Sequence, residues 1–174
     1  MHENTPPPGE LPGASYRLMT TNAEAVAAID EVVAASAHEL RVFDSTPGTL
    51  RERGFGAAAR IESLRAMLLA SRGHCLRIVL HDVRAIELEL PRLLNLLAAH
   101  SGQIQIHRTT GQARDAHDAL IIADDCHFWR RLHMDQSRSV LTLHDATGTR
   151  PILERFEDIW ERSELAVSGS MLGL

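Results

Sequence analysis

The sequence contains no lysine, because all 18 residues counted as Lys or Arg are arginines. This absence excludes the classes of enzyme that depend on a lysine amine, namely Schiff-base enzymes, P-loop NTPases and protein kinases. Arginine binds phosphate through its planar guanidinium, but it stays protonated at neutral pH and is a poor nucleophile or proton donor. The chain can therefore bind phosphate groups, whereas lysine-dependent catalysis is excluded.

Cysteines and long apolar runs are also scarce. The two cysteines, Cys75 and Cys126, form no C-x-x-C pair, which argues against a disulfide framework and against a thiolate zinc site. No apolar run reaches the length that spans a membrane, and the first 15 residues lack the pattern of a signal peptide. We therefore expect a cytoplasmic protein that does not insert into membranes.

The composition indicates one globular domain with a net negative charge. Its 174 residues are 44% hydrophobic, which suits a single soluble domain. With 23 acidic side chains the formal net charge is -5, so the overall field does not favour nucleic acid or an anionic membrane as a partner. A site for a polyanion would need a local cluster of arginines.

Proline and glycine positions suggest the domain limits. Residues 1–15 are rich in proline and bury little apolar surface, so we predict a flexible leader there. Residues 16–163 carry the periodic apolar pattern and are predicted to form one α/β domain. Residues 164–174 contain several small side chains, and we expect them to form a flexible tail.

Helical and extended patterns alternate along the domain. Helical spacing predicts helices over 23–37, over a segment with Ile61, Leu64, Leu68 and Leu69 on one face, over 87–100, and from near Pro151 onward. Strands are predicted at 39–44, 76–81, 103–107, 119–123 and 139–144, and a connection at 45–56. Strands separated by helices form parallel sheets covered on both faces, while the late consecutive strands suggest an antiparallel addition. The pattern predicts a three-layer α/β/α sandwich with a mixed, mostly parallel sheet.

The densest polar cluster surrounds the apolar strand predicted at 119–123. His117 stands just before that strand and Asp124 just after it. The frame His117, Ala119, Asp124 resembles the signature of the phospholipase D-like superfamily, in which a His, one spacer, a Lys, four spacers and an Asp surround such a strand. The resemblance covers roughly residues 23–163, including a closing helix that contains Phe156 and Trp160.

The resemblance implies a fold, a chemistry and an assembly. In that family the histidine attacks phosphorus to form a phosphohistidine, the lysine holds the phosphate oxygens, and two motif copies meet across a two-fold axis. A chain with one motif resembles the members that build their site by homodimerisation. The resemblance thus implies a homodimer, no cofactor and no metal, with His117 and Asp124 as the candidate catalytic positions.

The sequence departs from the family where the lysine should stand. Ala119 replaces it, and Trp129, Arg130 and Arg131 occupy the region where Gly-Ser and Asn usually follow the motif. We therefore predict a catalytically degenerate domain that acts as a binding or regulatory module, with a phosphate-bearing ligand as the expected partner. The arginines that can bind such a ligand are Arg108, Arg114, Arg130 and Arg131.

Two alternative functions remain open at this stage. The first is an active phosphodiesterase or nuclease that uses His117 as nucleophile and arginine in place of lysine. The second is a metal-dependent hydrolase, although the spacings match no established ligand motif. Its candidate ligands would be His117, His127, His133, His144, Asp118, Asp124, Asp125 and Asp145.

Overall fold

The computed structural model describes residues 13–169, and in this part of the chain eight strands form one sheet. The strands are β1 Ser15–Met19, β2 Glu39–Asp44, β3 Cys75–Leu80, β4 Ile104–Thr109, β5 Ala119–Ala123, β6 His127–Arg131, β7 Ser139–Leu143 and β8 Ser163–Val167. The helices are α1 Asn22–Ala35, α2 Pro47–Leu50, α3 Ala58–Ala70, α4 Ile86–Glu89, α5 Pro91–Ala99 and α6 Ala146–Glu161. A π-helical turn spans Arg51–Phe55, and a 3-10 turn spans Gly111–Asp115.

The strand order across the sheet is β1-β7-β6-β5-β2-β3-β4-β8. The predicted α/β sandwich with a mixed sheet is confirmed. Parallel pairing is confined to β2, β3 and β4, and every other pair in the described sheet is antiparallel. The parallel part is smaller than the pattern predicts, because β5, β6 and β7 follow one another without intervening helices.

Two apolar clusters cover the two faces of the sheet. The larger cluster lies under α1, α3 and α5, and the smaller one lies under α6. Strand β5 contributes to both, since Ala119 and Ile121 belong to the larger cluster and Leu120 belongs to the smaller one. The prediction that 119–123 is buried on both faces is confirmed.

Several elements differ from those predicted. Strands β1, β6 and β8 are additional, and residues 164–167 of the predicted flexible tail lie in β8. Residues 45–56, predicted as a connection, contain α2 and the π-helical turn. Helix α6 begins at Ala146 rather than near Pro151, because Asp145 caps it by accepting a hydrogen bond from the Gly148 N–H.

Three further predictions concern the burial of Leu69, the N-terminal segment and membrane insertion. Leu69, predicted on a buried helix face, is exposed. The predicted leader lies outside the described residues up to position 12, and its last residue, Ser15, begins β1. Among residues 13–169, no helix is both long enough and apolar enough to cross a membrane.

Candidate functional site

A cleft of about 380 Å³ lies at one edge of the sheet, where the parallel strands β2 and β3 end and the antiparallel strand β5 begins. Open α/β sheets bind their ligands at the carboxyl ends of parallel strands, so this edge is the expected place for a site. We call it the His117 cleft. Its lining residues are Ser45, His81, Arg114, Ala116, His117, His133, Met134 and Asp135.

His117 is held by its main chain and leaves its imidazole free. Its carbonyl oxygen accepts a hydrogen bond of 2.8 Å from the Met134 N–H, which ties the start of β5 to the loop after β6. Within residues 13–169 the His117 side chain has no hydrogen-bond partner, and the residue is exposed. The imidazole is therefore available to a ligand that enters this cleft.

His81, which sequence reasoning did not select, supports this part of the cleft. Its Nε2 lies 2.7 Å from the Ala116 carbonyl oxygen, and its Nδ1 lies 2.8 Å from the Thr109 hydroxyl. Because a carbonyl oxygen only accepts, Nε2 carries a proton, and in the neutral ring Nδ1 accepts from the hydroxyl. His81 thus fixes the backbone next to His117. The available sequence signal was its position directly after a parallel strand.

Asp118 anchors the segment that carries His117 to helix α6. Its two carboxylate oxygens accept hydrogen bonds of 2.6 Å each from Arg155, and Arg130 lies 3.3 Å away. Burial opposes ionisation of Asp118, but these hydrogen bonds and charges outweigh it and hold its pKa below the usual range. Arg130, predicted to bind the ligand, is thus engaged with a buried carboxylate.

The four candidate arginines do not converge. Arg114 lines the His117 cleft, whereas Arg108 pairs with Glu164 on β8. Arg131 lies opposite Ala119 in the register of β5 and β6, and it is only 4% exposed. Ala119 itself is fully buried. The side chain at position 119, where the sequence resemblance expects a lysine, therefore does not reach the cleft.

Asp124 lies at the far end of β5 from His117. Its carboxylate accepts hydrogen bonds of 2.9–3.0 Å from the main-chain N–H groups of residues 37–39. Burial raises its pKa, but these hydrogen bonds outweigh burial and lower the pKa overall. The two ends of the motif frame do not meet, and Asp124 holds the connection between α1 and β2.

The candidate metal ligands are dispersed. The rings of His127 and His144 contact each other edge to face, with 4.6 Å between their centroids. His117 and His133 line the cleft. In the described range 13–169, no group of three or more His, Cys, Asp or Glu side chains is placed to hold a metal ion. The geometry gives the metal-dependent alternative no ligand set in that range.

Comparison with solved structures identifies the class of fold. Nuc from Salmonella typhimurium, a phospholipase D family member, is 17% identical over 90% of this chain and 100% of its own, with a TM-score of 0.59. Phosphatidylserine synthase from Haemophilus influenzae is 11% identical over 91% of this chain and 41% of its own, with a TM-score of 0.57. The fold is therefore phospholipase D-like.

A third structure and a family model complete the comparison. TrmBL2, an archaeal chromatin protein with a novel mode of DNA binding, is 13% identical over 91% of this chain, with a TM-score of 0.65; the chain spans 56% of its length. A comparison with curated proteins found no match. The family model described as Domain of unknown function (DUF7931) matches residues 21–168, and the chain belongs to this family.

Proposed function

We propose that this chain is a catalytically degenerate phospholipase D-like domain that binds a phosphate-bearing ligand in the His117 cleft and acts as a binding or regulatory module. One observation carries the proposal. Arg114 and His117 line the same open cleft, whereas Ala119, in the position of the family's lysine, is fully buried.

The lining of the cleft supports binding of a phosphate group. Arg114 donates through Nε to the Thr109 carbonyl oxygen at 3.4 Å, a long contact that leaves the terminal nitrogens of the guanidinium for a ligand. Arginine forms bidentate, charge-assisted hydrogen bonds with phosphate. His117 and His133 add two further polar groups to the same cleft.

The positions of the other cations argue against turnover. A phosphoryl-transfer transition state needs positive groups already placed at the phosphate oxygens, and losing one such group commonly costs on the order of 10²–10³ in rate. Arg130 and Arg155 are bound to Asp118, and Arg131 is buried away from the cleft. Arg114 is the one of the four candidate arginines that supports His117 there.

Binding is tested by isothermal titration of the protein with dimethyl phosphate. We expect saturable binding that Arg114→Met and His117→Ala each weaken about tenfold or more, because each removes a group that meets the phosphate. Arg108→Met is the matched control, since Arg108 pairs with Glu164 and does not line the cleft. Equal binding by all four proteins would contradict the location of the site.

Turnover is tested with bis(p-nitrophenyl) phosphate between pH 5 and 8 in the presence of a chelator. We expect no release of nitrophenol above the buffer rate. Turnover that disappears in His117→Ala would instead establish the alternative, an active phosphodiesterase or nuclease with arginine in place of lysine.

A further inference from the structure

The two edge strands of the sheet, β1 and β8, differ in regularity. The pairing of β8 with β4 contains a register shift between Ile106 and His107, an irregularity of the kind that blunts a sheet edge. The pairing of β1 with β7 runs from Ser15 to Met19 without a shift. Within residues 13–169 no strand pairs with the outer edge of β1, so its N–H and C=O groups are open to a further strand.

Two large apolar side chains are exposed on β1. Tyr16 is 71% exposed and Leu18 is 49% exposed. They are two residues apart and share a face, opposite Thr142 and Val140 of β7. Val140 packs against the smaller apolar cluster, so Tyr16 and Leu18 extend the α6 face to the edge of the sheet. Exposed apolar side chains on a regular edge strand are typical of a surface that pairs with another chain.

The other face of β1 carries a cation and an anion. A groove of about 250 Å³ lies between β1 and α1, and it is lined by Arg17, Leu18, Met19, Glu24 and Ala27. The Arg17 side chain pairs with Glu31 and is still 53% exposed. The Glu24 carboxylate accepts hydrogen bonds from the main-chain N–H groups of residues 20 and 21, which lower its pKa. Glu24 is therefore ionised at neutral pH.

We propose that the outer edge of β1 is a docking surface for a second copy of this chain, whose own β1 pairs with it antiparallel about a two-fold axis. A two-fold axis requires a surface that is complementary to itself. In an antiparallel pair that continues one sheet, directly opposed residues share a face. One residue of β1 must therefore lie opposite its own counterpart at the axis.

Charge selects the residue at the axis. Arg17 there would place two guanidinium groups directly opposite each other, which is unfavourable. Tyr16 there would place Arg17 opposite the partner's Ser15, which offers no charge. Leu18 there pairs two leucines and places Arg17 opposite the partner's Met19.

With Leu18 at the axis, the charges of the two copies complement each other. Met19 lines the same groove as Glu24, so Arg17 of one copy lies over the groove that holds the partner's Glu24. The two-fold axis makes this contact twice. On the other face the two leucines meet, with Tyr16 beside them.

This arrangement keeps the two His117 clefts apart. None of the residues that line the cleft lies on β1. Three strand spacings separate β1 from β5, so the two β5 strands of the pair lie about 30–35 Å apart at about 4.8 Å per spacing. The interface is thus distinct from one in which two motif copies meet.

Sedimentation equilibrium of the full chain tests the surface. We expect the wild type to associate at micromolar concentration and Leu18→Arg to weaken association about tenfold or more, because two guanidinium groups then oppose each other at the axis. Leu165→Arg is the matched control. Leu165 is 55% exposed on β8, the other edge strand, and its substitution should leave association unchanged.

Cross-linking tests the register with a milder substitution. Leu18→Cys should form a disulfide between two chains on mild oxidation, because directly opposed Cβ atoms lie about 4.5–5.5 Å apart. Tyr16→Cys should not, since four residue steps, about 13 Å, separate it from its counterpart. The wild type, which contains Cys75 and Cys126, controls for cross-links through the native thiols.

Charge reversal tests the contact between Arg17 and the partner's Glu24. Arg17→Glu and Glu24→Arg should each weaken association, because each places like charges together. An equimolar mixture of the two variants should restore it, since both contacts then join opposite charges. Circular dichroism of both variants controls for folding, because Glu24 also caps α1.

Three results would overturn the proposal. A monomeric wild type excludes a second copy and leaves residues 1–12 or another protein as the occupant of the edge. Unchanged association in Leu18→Arg places the contact elsewhere on the chain. Equal cross-linking of Leu18→Cys and Tyr16→Cys excludes the register. None of these measurements involves a phosphate ligand, so their failure is separate from failure of the His117 cleft to bind one.

Discussion

Arg131 lies directly across the β5–β6 pair from Ala119, and both side chains leave the same face of the sheet. Directly opposed residues in an antiparallel pair bring their Cβ atoms to about 4.5–5.5 Å. The small side chain of Ala119 therefore leaves room for a buried guanidinium beside it. The sequence resemblance expects a lysine at position 119, and the structure places a cationic residue of the neighbouring strand, Arg131, directly opposite it.

A lysine introduced at position 119 should consequently destabilise the protein. Ala119→Lys places an ammonium in a fully buried site next to Arg131, and we expect a loss of about 3–5 kcal/mol in the free energy of unfolding, measured in urea. Ala119→Met controls for volume and should cost about 1–3 kcal/mol from overpacking alone. Equal stability of the two variants would show that charge at this position is tolerated.

Acid sensitivity should depend on Asp118. Its pKa is lowered in the folded state, so its contribution to stability is present above the unfolded value near 3.8 and is lost as pH falls through the lower folded pKa. We expect Asp118→Asn to flatten the dependence of stability on pH below about pH 4. At pH 7 the same variant should lose about 3–5 kcal/mol, because Arg155 and Arg130 lose their carboxylate.

The exposed Asp135 supplies the control for that measurement. Asp135→Asn should leave the pH profile of stability unchanged, since its carboxylate has no buried arginine partner among the described residues. A profile of Asp118→Asn that overlays the wild type would remove Asp118 as the source of the acid sensitivity.

Substitution of Asp124 should change the free energy of unfolding and leave the affinity for the ligand unchanged. Asp124→Ala removes the acceptor for three main-chain N–H groups and should cost about 1–3 kcal/mol or more in unfolding free energy. Asp124→Asn should cost less, because it retains one acceptor oxygen and tolerates the positive φ of 50° at this position. Neither variant should change dimethyl phosphate affinity at the His117 cleft. Weakened affinity in a folded Asp124→Asn protein would instead link both ends of the motif to binding.

His81 should influence the cleft through its contact with the backbone. His81→Phe breaks its two hydrogen bonds, and we expect weaker dimethyl phosphate binding, because Ala116 and His117 are no longer fixed. Thr109→Val removes the hydroxyl partner while keeping the ring, so it should have a smaller effect of the same sign. Titration calorimetry of both variants separates this positioning role from a direct contact, for which Thr109→Val would have no effect.

The resemblance to single-motif phospholipase D-like chains implies assembly into a homodimer. We expect sedimentation at the mass of two chains at micromolar protein concentration. Sedimentation as a monomer at this concentration would contradict the homodimer.

Much of the architecture could be predicted because it depends on local apolar patterning. The continuous run at β5 predicted a strand buried on both faces, and the alternation of helices and strands predicted the layered fold. Strands β6 and β8 escaped prediction for different reasons. β6 carries buried Arg131 among its aromatic residues, so its pattern is not apolar, and β8 lies at the sheet edge, where burial imposes little alternation.

The sequence by itself determined that no lysine exists to complete the motif and that arginine is the cation available for phosphate. Only the tertiary structure decided which arginine does what. Strand pairing places the Arg131 side chain in the core, and Arg130 pairs with the buried carboxylate of Asp118. Arg108 pairs with Glu164 on β8, so Arg114 is the candidate arginine that lines the cleft. The physical reason is that the role of a guanidinium depends on the face it occupies and the carboxylates it meets, and both arise from contacts between residues distant in sequence.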